Sequence, residues 1–270
     1  MKTRILTAVV AVPFLLLLLL VADKSIAAVV WGLILAIGAY ELLFCTGLIK
    51  EPRLVIYSCV MAFGVTMWSY FDAVHAFGLL GVMAFLCLLY GEMMMTHVKI
   101  TFDKLALCVM GGLVVPFLLS SIIRILSMKV GRYVIMVPFV VAFLSDSGAY
   151  FCGMLFGRHK LAPVISQKKT IEGAIGGVIT AVVSMVIYAL ILQFNHFQVD
   201  YVNAMIYGLL GSVAGVFGDL CFSVVKRQTG IKDFGSILPG HGGILDRFDS
   251  MMLVGPLVEA LLVLLPLIKG

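Results

Sequence analysis

Charged side chains are scarce in this sequence. Asp, Glu, Lys and Arg make up 12% of its 270 residues, whereas 62% are hydrophobic. That charged fraction is about half of what soluble domains carry. A soluble chain of this length could not bury so much apolar surface, and several apolar runs are long enough to cross a bilayer. The composition therefore excludes a soluble domain and predicts an integral membrane protein.

Cysteine is also infrequent, and its spacing lacks any recognisable pattern. The six cysteines are scattered at positions 45, 59, 87, 108, 152 and 221, mostly within apolar runs. None forms a Cys-x-x-Cys pair, which argues against a thiolate metal site and against a disulfide framework. We interpret them as small hydrophobic residues in helix packing.

Nine apolar segments are predicted to span the membrane as helices, because backbone groups in hydrocarbon must be satisfied within their own segment. Their approximate bounds are 5–22, 27–49, 54–71, 74–95, 104–126, 132–157, 172–194, 200–225 and 247–268. The first segment is longer than the apolar region of a signal peptide, so we interpret it as a retained helix. The predicted fold is all-α and polytopic. Residues 1–130 carry about five N-terminal spans, and residues 131–270 carry the remaining spans with two long polar loops that could hold a catalytic site, within one continuous membrane domain.

The orientation is predicted from Lys and Arg in the loops. With the N-terminus inside, 14 of the 19 basic residues lie on the cytoplasmic side and five lie on the other. Two long polar loops, at about 158–171 and 226–246, then face the cytoplasm. The protein is expected in the cell inner (plasma) membrane, as a multi-pass protein with its active site facing the cytoplasm.

Acidic residues within apolar spans are costly and often functional. Glu41, Glu92 and Glu259 have no second polar group in register, and a structural role is the favoured interpretation for each. Asp219 differs because it lies on a stripe of small residues that lets a neighbouring helix approach closely. The stripe comprises Gly208, Gly211, Gly215 and Gly218, and the same face continues to Ser223 and Lys226.

Asp146 shows a similar arrangement upstream. It shares a helix face with Tyr150, Gly153 and Gly157, and the face leads to the first polar loop. In that loop "SQKKTIEG" places Lys168 and Lys169 directly before a helix N-terminus, a plausible phosphate site. A basic cytoplasmic loop is equally what topology requires, so the two interpretations stay open on these residues alone.

The second polar loop contains five glycines in 18 residues, which suits backbone N–H groups wrapped around an anion. It is neither a P-loop nor a dinucleotide fingerprint, since the Lys and the third glycine of those motifs are missing. Asp246 and Asp249 are three residues apart and are predicted to share a face at the start of the last helix. Capping of that helix is one interpretation; a metal and polyphosphate site is the other, because Mg²⁺ is usually held by carboxylates and substrate phosphates.

The stretch "SVVKRQTGIKDFGSILPGHGGILDRFDS" resembles the signature of the phosphatidate cytidylyltransferases of bacterial type, also called CDP-diacylglycerol synthases. The elements Ser, Lys-Arg, Lys-Asp, His-Gly-Gly and Asp-Arg-x-Asp are all present in order. "SDSGAYFCG" and "SQKKTIEG" are similar to upstream segments of that family, with Gln167 where Pro is common. The resemblance covers about residues 145–250.

The resemblance implies the reaction of CTP with phosphatidic acid to give CDP-diacylglycerol and pyrophosphate. It implies catalytic roles for Asp219, Asp246, Lys226, Arg227 and Arg247, and Mg²⁺ held by Asp219, Asp246 and Asp249, with a second metal ion left open. The expected substrate-binding residues are Asp146, Lys168, Lys169, Ser223, Lys232, Asp233, His241, Gly242 and Gly243.

The expected partners are CTP, phosphatidic acid and the lipid bilayer, with no nucleic acid; a homodimer is left open. The alternatives are an ion or nucleotide transporter, in which the buried acids form an ion path, and a CDP-alcohol phosphotransferase. The Asp-x-x-x-Asp run typical of the latter family is absent from the sequence.

Overall fold

The protein is mostly helical in the computed structural model, which describes residues 2–71, 75–96, 99–237 and 242–269. The helices, in chain order, are α1 Lys2–Leu20, α2 Lys24–Tyr40, α3 Pro52–Tyr70, α4 His75–Met95, α5 Phe102–Val109, α6 Val115–Leu119, α7 Ser121–Ser127, α8 Gly131–Val134, α9 Val137–Phe156, α10 Ile171–Phe194, α11 Tyr201–Gln228 and α12 Met251–Leu264. Two π-helical turns, Glu41–Cys45 and Met110–Val114, extend α2 and α5, and a 3₁₀ turn covers Leu245–Arg247.

Six helical segments in the described part of the chain are long and apolar enough to cross a membrane. They are Lys24–Cys45, Phe77–Met95, Phe102–Ser127, Gly131–Phe156, Ile171–Phe194 and Tyr201–Gln228. This confirms a mostly helical protein with several candidate membrane spans but does not confirm the predicted count of nine. The three remaining predicted spans coincide with helices α1, α3 and α12, and α12 has only 14 residues. At about 1.5 Å per residue that helix is shorter than the hydrocarbon core of a bilayer.

The chain divides into two compact units. The first contains Met1–Lys129 together with Thr229–Phe248, and the second contains Val130–Gln228 together with Asp249–Gly270. We call the segment Thr229–Phe248 the signature loop; its residues 238–241 lie outside the described part of the chain. The division of the sequence at about residue 130 stays a prediction, but the signature loop groups with the N-terminal helices rather than with the second half.

The first unit is built around α2 and α3. Trp31 of α2 is fully buried, and its indole N–H donates a 3.0 Å hydrogen bond to the carbonyl of Leu119. The hydrophobic core of this unit includes Leu43, Leu54 and Leu89, all of which are buried. Van der Waals packing of this kind is the main force between helices in lipid, where there is no water to exclude.

Helices α9, α10, α11 and α12 pack together in the second unit, and glycines set their close approach. A Cβ atom built on Gly208 of α11 would lie 2.6 Å from the Cα of Val182 in α10, and one on Gly218 would lie 2.9 Å from the carbonyl oxygen of Asp249. Gly208 and Gly218 of the predicted glycine stripe therefore lie against neighbouring backbone, whereas Gly211 and Gly215 lie against the side chains of Val141 and Val254. Close approach of this kind is the expected use of small residues in membrane helices.

The first polar loop forms a β-hairpin, which the all-helical prediction missed. Strand β1, Lys160–Ala162, pairs antiparallel with β2, Ser166–Thr170, and we call Lys160–Thr170 the basic hairpin. Thr170 ends the hairpin and also caps α10, because its side chain accepts a hydrogen bond from the N–H of Gly173. Two further short strands, β3 Gln198–Val199 and β4 Ile268–Lys269, pair near the end of the chain.

Candidate active site

A cavity of about 340 Å³ opens in the second unit between the basic hairpin and helices α9, α10 and α11. Its polar lining residues are Asp146, Lys168, Lys169, Thr170 and Asp219, and its apolar lining includes Tyr150, Met154, Leu161 and Val216. Residues from both motifs that the sequence singled out upstream of the signature therefore meet around one space. The cavity combines charge with apolar surface, as a site for an amphiphilic ligand requires.

Asp219 lies on α11 and has two partners: Ser223, which the sequence placed on the same helix face, and Lys169, which it did not place there. Its Oδ2 forms an ion pair with the Nζ of Lys169 in the basic hairpin. The hydroxyl of Ser223, one helical turn further on, lies 3.3 Å from Asp219 Oδ1 as a hydrogen-bond donor. Within the described residues, buried Lys169 Nζ has this ion pair but no acceptor in good hydrogen-bond geometry. The contact between Lys169 and Asp219 is therefore an ion pair that joins the hairpin to α11.

Asp249 and Asp146 bring two further carboxylates to the same unit. Asp249 precedes α12, and its Oδ2 lies 3.9 Å from the Nζ of Lys226. Burial and the neighbouring charge of Asp219 raise the pKa of Asp249 above its ordinary value, and Lys226 opposes the shift. The Ser250 hydroxyl lies 3.5 Å from Asp146 Oδ2. The unit thus concentrates negative charge that a cation would stabilise.

Arg227 links the end of α11 to the basic hairpin. Its Nε donates a 3.1 Å hydrogen bond to the carbonyl of Ile165 at the hairpin turn. Lys168 is exposed on the hairpin and lines the cavity. His159, just before the hairpin, pairs through Nδ1 with Glu172 of α10 at 2.6 Å. The sequence offered no signal for these contacts, because they depend on the hairpin.

In the first unit, the signature loop wraps around the carboxylate of Asp246. Asp246 is 7% exposed, and its Oδ2 accepts hydrogen bonds from the N–H groups of Phe234 at 2.8 Å and Gly243 at 2.9 Å. Gly242 has a φ of +84°, a left-handed conformation that glycine adopts without strain. Asp246 therefore organises the loop in addition to any contact with a ligand.

The start of the last helix differs from the prediction. The sequence placed Asp246 and Asp249 on one face of that helix, but Asp246 lies in the 3₁₀ turn Leu245–Arg247 and α12 begins only at Met251. The two carboxylates also belong to different units. Their spacing of three residues consequently does not place them on a shared helical face.

The remaining predicted residues of the signature loop are mostly exposed. Lys232, Asp233 and Arg247 are exposed, and Gly243 is buried. His241 lies outside the described residues. The described part of the loop thus presents two cations and one carboxylate to the surroundings.

Glu41 is the functional candidate that sequence reasoning undervalued. It is fully buried, and its carboxylate accepts hydrogen bonds from the N–H groups of Ile244 at 3.0 Å and Leu245 at 2.9 Å. The sequence showed no polar partner because these partners are backbone groups about 200 positions away. Glu92, also thought to stand alone, accepts from the Tyr57 hydroxyl at 3.1 Å and pairs with Arg53 at 3.5 Å.

The carboxylates of Asp219, Asp246 and Asp249 fit a metal ion that takes most of its ligands from water and substrate. Within the described residues, no three His, Cys, Asp or Glu side chains are arranged to hold a metal ion by themselves. Mg²⁺ usually binds one or two carboxylates and completes its shell with water and substrate phosphates. Asp219 and Asp249 supply oxygen donors of that kind in the second unit, as Asp246 does in the first.

The chain is similar to known proteins over nearly its whole length. The model of the cytidylyltransferase family matches residues 2–265. The phosphatidate cytidylyltransferase of Staphylococcus haemolyticus is 35% identical over 265 residues, covering 97% of this chain and 99% of the relative. That of Bacillus subtilis is 34% identical over 269 residues, covering 98% of each. That of Staphylococcus saprophyticus is 47% identical over 133 residues, about half of each chain.

The match extends through the N-terminal helices, which the sequence motifs alone did not cover. With a family model spanning nearly every residue and full-length relatives above 30% identity, this chain belongs to the cytidylyltransferase family.

Proposed function

We propose that the protein transfers the cytidylyl group of CTP to phosphatidic acid, giving CDP-diacylglycerol and pyrophosphate. Membership of the family and the names of the full-length relatives support this reaction. The observation that carries it is the cavity at which Lys169 and Asp219 meet. It offers cations for phosphate and apolar side chains for a lipid, and both substrates need such a place.

The chemistry needs no protein nucleophile. A phosphate-monoester oxygen of the lipid is already largely deprotonated near neutral pH. It forms the new bond to the α-phosphorus of CTP, the bond from that phosphorus to the bridging oxygen breaks, and pyrophosphate leaves with the electron pair. Phosphoryl transfer of this type depends on alignment and on neutralisation of charge. Lys168, Lys169, Lys226, Arg227 and Arg247 are the groups proposed to supply them.

A divalent ion, for which we propose Mg²⁺, is assigned to Asp219, Asp246 and Asp249. When bound, such an ion neutralises phosphate charge and orients the phosphate oxygens. The chain's own part is to hold these carboxylates in position. Ser223 donates to Asp219, Lys226 lies near Asp249, and two backbone N–H groups hold Asp246.

We also propose the finer topology: nine membrane helices, with the N-terminus and both polar loops on the cytoplasmic side of the inner (plasma) membrane. Helices α1, α3 and α12 would join the six candidate spans. The 14-to-5 distribution of basic residues supports this orientation. It would place the reaction where cytoplasmic CTP meets a lipid that arrives from within the bilayer.

The test is pyrophosphate release by purified protein in mixed micelles. We expect release only when CTP, phosphatidic acid and Mg²⁺ are all present, with CDP-diacylglycerol formed in equal amount. Diacylglycerol without its phosphate is the matched control, since it lacks the attacking oxygen. Equal release with diacylglycerol, or without any lipid, would indicate hydrolysis of CTP and contradict the proposed transfer.

A further inference from the structure

The end of helix α2 carries a buried carboxylate, and its hydrogen-bond partners among the described residues both lie in the signature loop. Each oxygen of Glu41 accepts one backbone hydrogen bond: Oε1 from the N–H of Ile244 and Oε2 from that of Leu245. From this geometry we infer that Glu41 is a positioning residue, which holds the signature loop in the conformation that the reaction needs. The inference rests on the proposed function only where it refers to a reaction; the anchoring itself is independent of it.

Two glycines leave the space that the Glu41 carboxylate occupies. A Cβ atom built on Gly235 would lie 2.5 Å from Oε1, and one on Gly243 would lie 2.5 Å from Oε2. For each glycine, the three nearest atoms to that Cβ all belong to Glu41. Neither glycine has the left-handed φ that glycine adopts most readily, since the positive values among the described residues of this loop are at Gly230 and Gly242. Close approach to Glu41 therefore explains both glycines.

The hydrogen bonds to Glu41 hold the segment of the signature loop that contains Asp246. Ile244 and Leu245 open the 3₁₀ turn Leu245–Arg247, so Glu41 satisfies two N–H groups at its start. Asp246 separately accepts from Phe234 and Gly243. The two acids thus hold four different N–H groups of one loop. Loss of Glu41 would leave the buried N–H of Leu245 and the part-buried N–H of Ile244 without this acceptor, which is costly.

Apolar contacts along α2 accompany this anchor. The ring of Phe248 meets Trp31 edge-on, with 5.1 Å between centroids. A Cβ atom on Gly38 would lie 3.7 Å from Leu245 Cδ1, an ordinary packing distance. These apolar contacts hold the loop against α2, but they are non-directional. The Glu41 hydrogen bonds are directional and therefore fix the orientation of the loop backbone. The π-helical turn that begins at Glu41 is a local irregularity of a kind often found at functional sites.

The first experiment replaces Glu41 by Gln and measures the loop directly. Gln keeps the size but turns one acceptor oxygen into an NH₂ donor facing a backbone N–H. We expect amide hydrogen exchange of peptides covering 242–248 to accelerate about 10- to 100-fold, and kcat to fall by a similar factor. KM for CTP should change by less than about threefold. Glu92→Gln is the matched control, because Glu92 has the side-chain partners Tyr57 and Arg53.

A double-mutant cycle makes the assignment sharper. Gly235→Ala adds a methyl group against Glu41 and should loosen the same peptides, whereas Ser236→Ala, at the exposed neighbouring residue, should not. In a Glu41→Ala background the methyl has room, so Gly235→Ala should add little. If Glu41→Ala does not fold, the Gly235→Ala protein alone tests the contact by exchange.

Unchanged exchange at 242–248 in folded Glu41→Gln would overturn the inference, even if activity fell. A kcat of Glu41→Gln that falls only in proportion to the amount of folded protein would also overturn it. The same holds if Gly235→Ala accelerates exchange as much in the Glu41→Ala background as in the unmodified protein. Because exchange is measured without substrates, a failed anchor and a failed reaction assignment give different results. Faster exchange with no CTP turnover in the unmodified protein would contradict the proposed function alone.

Discussion

Lys169 of the basic hairpin forms an ion pair with Asp219 of helix α11 at the wall of the cavity. The contact joins a residue expected to bind phosphate to one expected to bind a metal. Both side chains are about one quarter exposed, so the pair is neither fully screened nor fully desolvated. We propose that Lys169 would bind a phosphate group of the substrate and that Asp219 would hold the divalent ion.

We predict that Lys168→Ala and Lys169→Ala lower kcat/KM by about 10- to 100-fold, the usual effect of losing a charge-assisted phosphate contact. Lys169→Ala should also lower the thermal midpoint, because Asp219 loses its ion pair. Lys50→Ala is the control: it removes an equal charge from an exposed position. Activity is measured as pyrophosphate release. Equal effects from all three variants would indicate that the hairpin lysines serve membrane orientation and do not bind phosphate.

We predict that Asp219→Asn and Asp246→Asn each lower turnover by at least about 10³-fold. The amide is a poor Mg²⁺ ligand, and the metal is expected to contribute several kcal/mol to transition-state stabilisation. The double variant should be no worse than either single one, since one ion would need both ligands. The measurement is Mg²⁺-dependent pyrophosphate release from protein that is folded by circular dichroism.

The control for these two variants is Glu259→Gln, which should be mild. Glu41→Gln, which the sequence alone would have offered as a second mild control, is unsuitable because Glu41 binds the signature loop. A folded Asp219→Asn protein that retains more than about a tenth of its activity would place the metal elsewhere. Additive losses in the double variant would argue for two separate sites.

We predict that Gly208→Ala destabilises the protein and that Gly91→Ala does not. The methyl group added at position 208 would lie 2.6 Å from Val182 Cα and 2.8 Å from the Ala181 oxygen, both backbone atoms that cannot rotate away. Overpacking of this kind typically costs about 1–3 kcal/mol. Gly91 is also helical but has nothing within 4 Å of its added Cβ. Thermal midpoints in detergent would check this, and equal midpoints for the two variants would contradict the packing.

We predict that a cysteine introduced at exposed Lys232, in a background without native cysteines, reacts with a membrane-impermeant maleimide only after cells are opened. This follows from the basic-residue asymmetry, which places the signature loop in the cytoplasm. A matched Lys129→Cys variant should react in intact cells, since that loop is expected outside. Labelling of position 232 from outside would reverse the topology and remove the CTP site from the cytoplasm.

Features that depend on residues near one another in the chain were predictable. The apolar runs are visible from composition and length. The helical repeat of 3.6 residues predicts that Ser223 and Asp219 share a helix face and that the glycines form a stripe. The motif resemblance likewise identified the family, which the comparison confirmed over nearly the whole chain. Local periodicity was sufficient in each case because helices in lipid must satisfy their own backbone.

Other features depend on which groups tertiary packing brings together. The sequence determined that Lys168 and Lys169 are basic and precede a helix, but the β-pairing that aims Lys169 at Asp219 arises only when the hairpin closes. It showed Glu41 as an isolated acid, because backbone N–H groups about 200 positions away carry no sequence signal. A buried carboxylate needs donors, and only the folded chain decides whether side chains or a distant loop supply them.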